Sequence, residues 1–145
     1  MQITVRELRD EDCKELSRIE RESFSMPWSE EEFRMLLTRD YCCYVVAEVD
    51  GKVAGCCGFT NSFQEGNIDN VVVDAAYRGM GIAQEMLRRV LAIGEAQGVE
   101  AFTLEVRVSN ETAIHVYEKL GFKSEGIRPR FYEKPVEDAM IMWRR

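Results

Sequence analysis

Several residues in this 145-residue chain have types and spacings that could do chemistry. The most informative run is Arg78-Gly79-Met80-Gly81-Ile82-Ala83, which follows the apolar Val71-Val72-Val73 and opens a long amphipathic stretch. Glycines there let backbone N–H groups turn toward an anion, and the helix that follows adds positive partial charge at its N-terminus. A pyrophosphate suits that place and so does a plain glycine-rich turn; the loop alone leaves both open. Two other phosphate motifs are excluded. The G-x-x-x-x-G-K-[ST] loop is absent, and G-x-G-x-x-G fails at its third glycine, where Gln84 stands.

Glu105 lies between Leu104 and Val106, so a pleated strand turns it to the face opposite those two. It is there either a base or a solvated residue beside Thr103 and Arg107. Tyr117 falls in a helical stripe with Ala113 and Leu120, which is a core face. His115, the only histidine, is off that stripe and reads as exposed and non-catalytic. The five cysteines are Cys13 and two adjacent pairs, Cys42-Cys43 and Cys56-Cys57. None has metal-ligand spacing, so no metal is expected, and the cysteines read as reduced, small apolar residues.

Positioning these groups requires a succession of elements. Residues 3–8 alternate as a half-buried strand. A helical pattern runs from Asp10, the expected N-cap, through Cys13, Leu16, Ile19 and Phe24, and Pro27 interrupts it. Ser29-Glu30-Glu31-Glu32 matches a capping box and opens a second helix carrying Phe33, Leu36 and Leu37. Two strands flank the hairpin signal Asp50-Gly51, and a third runs through Asn67–Asp74. A two-residue turn would set Val49 opposite Lys52, Tyr44 opposite Cys57 and Val45 opposite Cys56. Cys43 and Cys56 would then be diagonal neighbours roughly 7–8 Å apart, too far for a disulfide. A long helix from Gly79 to Gln97, a strand at 101–108, a helix at 110–120 closed by Gly121 and two final strands complete the order. The sum is an α+β fold, β-α-α-β-β-β-α-β-α-β-β, with a mixed, mostly antiparallel seven-stranded sheet and four helices.

Length fits one domain over residues 1–145, and roughly 68–70% of the unfolded surface would be buried without staples. No apolar run approaches the ~18 residues of a membrane helix, and the charged N-terminus is unlike a signal peptide; a cytoplasmic monomer is expected. The net charge of −7 argues against nucleic acid and is compatible with a basic peptide or polyamine.

The run R-x-x-G-x-A after a fourth strand resembles the acetyl-CoA signature of the GCN5-related N-acetyltransferase (GNAT) superfamily, and the element order resembles that superfamily over essentially the whole chain. LEVRVSNETAIHVYEKLGF, with MPWSEEEF and FYEKPVEDAMIM, resembles the ribosomal-protein-alanine N-acetyltransferases. The resemblance implies acetyl-CoA as co-substrate and an N-terminal α-amine, alanine first, of a protein such as a ribosomal protein as acceptor. It implies that the backbone of Val71, Val72 and Val73 holds the acetyl carbonyl and pantetheine arm. Arg78, Gly79, Met80, Gly81, Ile82, Ala83 and Gln84 would then cradle the pyrophosphate, with Asn110 contacting the cofactor further along. Glu105 becomes a general base acting through water, and Tyr117 the general acid that protonates the departing thiolate. Pro27, Trp28, Phe131, Tyr132, Glu137 and Asp138 would line the peptide groove.

The chemistry favours that acceptor. An α-amine of pKa ~7.7–8.0 is neutral in roughly a tenth of molecules at pH 7, against fewer than one in a thousand for a lysine at ~10.4. A water-relayed carboxylate is ample help for the first and weak help for the second. The competing readings are a small-amine acetyltransferase of polyamine type and a non-catalytic acetyl-CoA-binding module. The presence of both Glu105 and Tyr117 argues against the module.

Overall fold

The computed structural model describes residues 2–145. Seven strands form one sheet: β1 (Ile3–Glu7), β2 (Cys42–Val49), β3 (Lys52–Ser62), β4 (Glu65–Val73), β5 (Ala101–Arg107), β6 (Lys123–Tyr132) and β7 (Glu137–Arg144). Their order across the sheet is β1-β2-β3-β4-β5-β7-β6. Four helices pack on it: α1 (Cys13–Ser23), α2 (Glu30–Leu36), α3 (Ile82–Ala96) and α4 (Glu111–Lys119). This is the α+β, mostly antiparallel arrangement and element order expected from the sequence.

Strand alternation divides the apolar residues between two cores. On one face Val45, Ala47, Cys57, Phe59, Ile68, Leu104 and Val106 meet Met86, Leu87 and Val90 of α3 and Tyr117 of α4. On the other, Tyr44, Val46, Cys56 and Val72 meet Leu16 and Ile19 of α1 and Phe33 and Leu36 of α2. Burying each such Leu, Ile or Phe contributes ~1.5–3 kcal/mol. The capping box of α2 is formed: Glu32 N–H donates to Ser29 Oγ at 3.1 Å, and Ser29 N–H to Glu32 Oε1 at 3.0 Å.

Three local expectations are corrected. First, α1 begins at Cys13, after a 3-10 turn over Asp10–Asp12. Asp10 does not cap it. Asp12 instead accepts the Arg9 N–H and two bonds from the Arg6 guanidinium, each at 2.8 Å. Burial alone would raise the Asp12 carboxyl, but Arg6 and the Arg9 amide outweigh it and hold it below its usual value. Second, Phe24 lies past the last turn of α1 and is exposed, as is Leu37 beyond α2. Third, the Asp50-Gly51 turn does set Val49 opposite Lys52, but a bulge between Ala47 and Glu48 slips the register by one. Val45 therefore faces Cys57, Tyr44 faces Gly58 and Cys43 faces Phe59. The five cysteines are free, as expected.

Candidate active site

The site begins where two strands part. β4 and β5 run parallel but pair only at Glu65↔Ala101, Gly66↔Phe102 and Asn67↔Thr103. Beyond Asn67 the β4 edge toward β5 continues without a ladder. On its other edge β4 keeps pairing with β3, with a register shift between Gly58↔Asp69 and Cys56↔Val72 that leaves one extra residue on β4. Asn70 takes up that bulge with φ of +53°. The unpaired edge at Val71, Val72 and Val73 is thus a row of backbone groups facing an opening, and a pantetheine amide can pair with such a row as a strand would.

Val73 leads through a short 3-10 turn, capped by Asp74, into the glycine loop. Gly79 and Gly81 have φ of +81° and +78°, and a Cβ at either would meet nothing within 4 Å. Glycine is required there by backbone conformation and not by crowding. Gly81 is the N-cap of α3 and brings no capping side chain, so the N–H groups of Ile82, Ala83 and Gln84 are left for an anion. Arg78 does not point a free charge at that anion. Its guanidinium donates to Val73 O at 3.2 Å and to Ser23 Oγ at 3.0 Å, bracing the loop against β4 and α1. Met80 is exposed beside it. These features fit the pyrophosphate and pantetheine of acetyl-CoA.

Glu105 and Tyr117 approach the opening from opposite faces of the sheet. Glu105 sits on the α1/α2 face, on the side of β5 opposite buried Leu104 and Val106. Its carboxylate is 3.9 Å from Arg128. Tyr117 is 7% exposed, with its ring edge-on to Phe122 at 5.9 Å. Burial, reinforced by nearby Cys57, Tyr132 and Asp69, pushes its ionisation well up, so its hydroxyl stays protonated at neutral pH. Asn110 caps α4 by accepting the Ala113 N–H at 3.2 Å, which leaves its amide nitrogen to donate. His115 is exposed.

The expected acceptor residues fall into distinct settings. Pro27 is exposed, whereas Trp28 packs on Phe33 with ring centroids 5.5 Å apart. Phe131 is 41% exposed and lies edge-on to Tyr132 at 4.9 Å. Arg107 stacks over Tyr132 at 4.5 Å. Burial, with Glu105 nearby, pushes the Tyr132 hydroxyl up to about 12. The loop after α1 and the loop after β6 touch, through Ser25 Oγ donating to Glu133 O at 3.4 Å. Glu137 is committed to structure: it accepts from Ser109 N–H at 2.8 Å and Arg107 at 3.1 Å, and Ser109 and Arg107 hold its carboxyl below the usual range. Strand alternation sends Asp138 to the opposite face, where it accepts the Arg130 N–H at 3.0 Å.

Sequence reasoning missed a buried polar network on the α1/α2 face. Glu20, 1% exposed, accepts the Trp28 N–H and the Asn70 amide, each at 2.8 Å. Asn70 Oδ1 accepts the Tyr44 hydroxyl at 3.1 Å. The Tyr44 ring lies against Gly58, where a Cβ would sit 2.3 Å from ring carbon. Burial raises the Glu20 carboxyl above its usual value. The network fastens the loop before α2, at Trp28, to the bulge of β4. Its one signal in the sequence is polar Asp69-Asn70 standing between Ile68 and the apolar run Val71-Val72-Val73. Among the described residues there is no cluster of three potential metal ligands, and no helix is long and apolar enough to cross a membrane.

A parted parallel strand pair, an open glycine-loop helix N-terminus and a protonated tyrosine beside them are an arrangement that suits acyl transfer from a nucleotide-linked donor. The sequence profile of the acetyltransferase (GNAT) family matches residues 13–122, and the chain belongs to that family. It is similar to a Bacillus subtilis relative at 36% identity, covering 96% of this chain and 93% of the relative. It is also similar to the [ribosomal protein bS18]-alanine N-acetyltransferase of Escherichia coli at 32%, covering 96% of this chain and 95% of the other. The crystal structure of the Escherichia coli ribosomal-protein-S18-alanine N-acetyltransferase superposes with a TM-score of 0.90 at 30% identity, covering 99% of this chain and 93% of that one.

Proposed function

We propose that the whole chain, as one domain, transfers the acetyl group of acetyl-CoA to the N-terminal α-amine of a protein, alanine first, with a ribosomal protein as the natural acceptor. The observation that carries this reading is the gap between β4 and β5. It lies between the glycine loop and two groups able to take and give protons, Glu105 and Tyr117, on opposite faces. The full-length likeness to an alanine N-acetyltransferase supports the choice of acceptor.

Acetyl-CoA, when bound, supplies the thioester and departs as a thiol. The backbone of Val71, Val72 and Val73 orients the acyl arm, while the N–H groups at Gly81 to Gln84 hold the pyrophosphate. Glu105, through water, first takes a proton from the α-ammonium, leaving the neutral nitrogen that attacks. Tyr117 donates its proton on the other side of the sheet and is reprotonated from the same nitrogen's second proton. The nitrogen loses two protons, the sulfur gains one and one leaves to solvent. Asn110 contacts the cofactor beyond the pyrophosphate; Pro27, Trp28, Phe131 and Tyr132 wall the acceptor groove, with Glu137 fixing its floor through Arg107.

Two peptides of identical sequence test the reading. One has its N-terminus blocked and an internal lysine free; the other has the reverse. The free α-amine is expected to be acetylated in strong preference. Equal rates would make the chain a lysine or small-amine acetyltransferase.

A further inference from the structure

We propose that Asn70 and Glu20 are positioning residues for the transfer: they hold the donor edge of β4 in phase and tie it to the acceptor wall at Trp28. The inference rests on the reading of the site as an amine acetyltransferase and goes beyond it by naming what sets donor and acceptor against each other.

The bulge shows in where β4 sends its side chains. Ile68 is buried on the α3/α4 face, and strand alternation would send Val72 to that same face. Val72 is instead buried on the α1/α2 face, while Val71 and Val73 pack on the α3/α4 core. The parity changes at Asn70, whose side chain reaches α1 and β2 on the α1/α2 face. Backbone N–H and C=O groups alternate between strand edges with the same period, so the extra residue also decides which of them face the gap. Asp74 N–H donates to Ala54 O at 2.7 Å, toward β3, which leaves the groups of Val71 and Val73 on the open edge. With regular alternation Val72 would face the gap in their place.

Asn70 holds this phase with every polar group it has. Its φ of +53° is a left-handed conformation that asparagine tolerates better than most residues bearing a side chain. Its N–H donates to Asp69 Oδ1 at 2.9 Å, and its carbonyl accepts the Cys56 thiol at 3.4 Å. Its side chain accepts from the Tyr44 hydroxyl at 3.1 Å and donates to Glu20 Oε2 at 2.8 Å. Tyr44 is itself fixed by Gly58, the β3 residue at the register shift, against which its ring lies. A backbone outlier fastened at four points beside a reacting site points to a role in position.

Glu20 carries the constraint to the other substrate. Its second oxygen accepts the Trp28 N–H at 2.8 Å, and Ser17, one turn earlier in α1, donates to the Trp28 carbonyl at 3.0 Å. Trp28 is clamped at both backbone groups while its ring packs on Phe33. One buried carboxylate therefore spans from the donor strand to the acceptor wall. It fixes the separation across which acyl carbon and nitrogen must meet, where a misplacement of ~1 Å costs about a hundredfold in rate.

The test exchanges donor and acceptor in the Glu20–Asn70 bond. Asn70→Asp tolerates the same backbone and keeps an acceptor for Tyr44, but it sets a second carboxylate against Glu20. Its kcat for an alanine-initiated peptide should fall about a hundredfold. Acetyl-CoA affinity should stay within roughly threefold of wild type, because the glycine loop that holds the pyrophosphate is untouched. Adding Glu20→Gln restores one amide and one carboxylate in reversed order. The new amide donates to the new carboxylate, which also accepts from Tyr44, and the Trp28 N–H keeps its acceptor. In that double variant kcat should recover to within roughly threefold of wild type. Asn70→Gly adopts the left-handed conformation without strain and lacks the side chain; it should fold and be as slow as Asn70→Asp. Turnover is measured per folded molecule, below the melting transition read by circular dichroism, so lost stability alone does not lower it. Wild-type kcat in folded Asn70→Gly, or a double variant as slow as Asn70→Asp, would overturn the proposal while leaving the acetyltransferase reading intact. A wild type that acetylates no α-amine peptide would overturn both.

Discussion

The two faces of the sheet solve different problems with different residues. The α3/α4 face is apolar throughout, from Val45 and Phe59 to Leu104 and Val106, with Tyr117 the one residue of its buried core that carries a hydroxyl and the uncapped glycine loop at the start of α3. The α1/α2 face carries Glu20, Asn70, Tyr44, Asp69 and Glu105 among its apolar residues. Rigid packing suits a face that must hold the same donor at every turnover. A polar, partly open face suits the handling of protons and an acceptor of variable sequence. On the proposed reading, the difference teaches that the binding of the donor is written mainly in the main chain and the choice of acceptor mainly in side chains.

The largest test of that contrast is Tyr117→Phe. The ring stays packed on Phe122 and a hydroxyl without a partner is removed, so thermal stability should stay near wild type. Turnover should fall about a hundredfold, the lower end of general acid catalysis. Wild-type turnover would return Tyr117 to the core and make the α3/α4 face purely structural. Gly81→Ala tests the main-chain half. A non-glycine residue at φ of +78° costs about 1–2 kcal/mol of strain, and the new Cβ touches nothing. Acetyl-CoA affinity, read by titration, should weaken about tenfold with peptide affinity unchanged. A matching loss for peptide would erase the distinction between the faces.

The smallest effect belongs to the polar face. Glu20→Gln can keep the network whole, because Asn70 can turn its amide over so that Tyr44 becomes the acceptor. Burial raises the Glu20 carboxyl in the folded chain. Its contribution to stability is therefore full below the unfolded carboxylate value and is lost as pH rises toward the folded one. Denaturant titrations from pH 4 to 8 should show a smaller decline with pH in Glu20→Gln than in wild type. Parallel pH profiles would mean that Glu20 ionises in the fold without penalty.

The same contrast explains what the sequence made legible. Strand alternation, the period of α3, the Ser29–Glu32 box and the Gly79–Gly81 loop are local patterns, and each formed where its pattern lies. The Ala47/Glu48 bulge adds one residue without any compositional mark, so the cysteine register slipped unseen. Asp10 did not become the cap, because a 3-10 turn precedes α1 and is held by Asp12 binding Arg6, a partner on another element. The Glu20–Asn70 bond spans fifty residues of chain, and no period connects its ends. Glu105 and Tyr117 stood out only through likeness to a known family, since an isolated strand glutamate and a stripe tyrosine look the same in any fold. The glycine-loop geometry is local and readable; the geometry of the polar face is tertiary.

The central claim, that Glu105 acts as base across the gap from the donor, is tested most directly by the pH dependence of kcat/KM for a free-alanine peptide. In Glu105→Gln it should fall about a hundredfold at pH 6.5. The gap from wild type should narrow toward pH 9, where the amine needs no base, and acetyl-CoA affinity should be unaltered. A profile unchanged in shape and height would contradict the claim and leave Glu105 a solvated residue on the sheet.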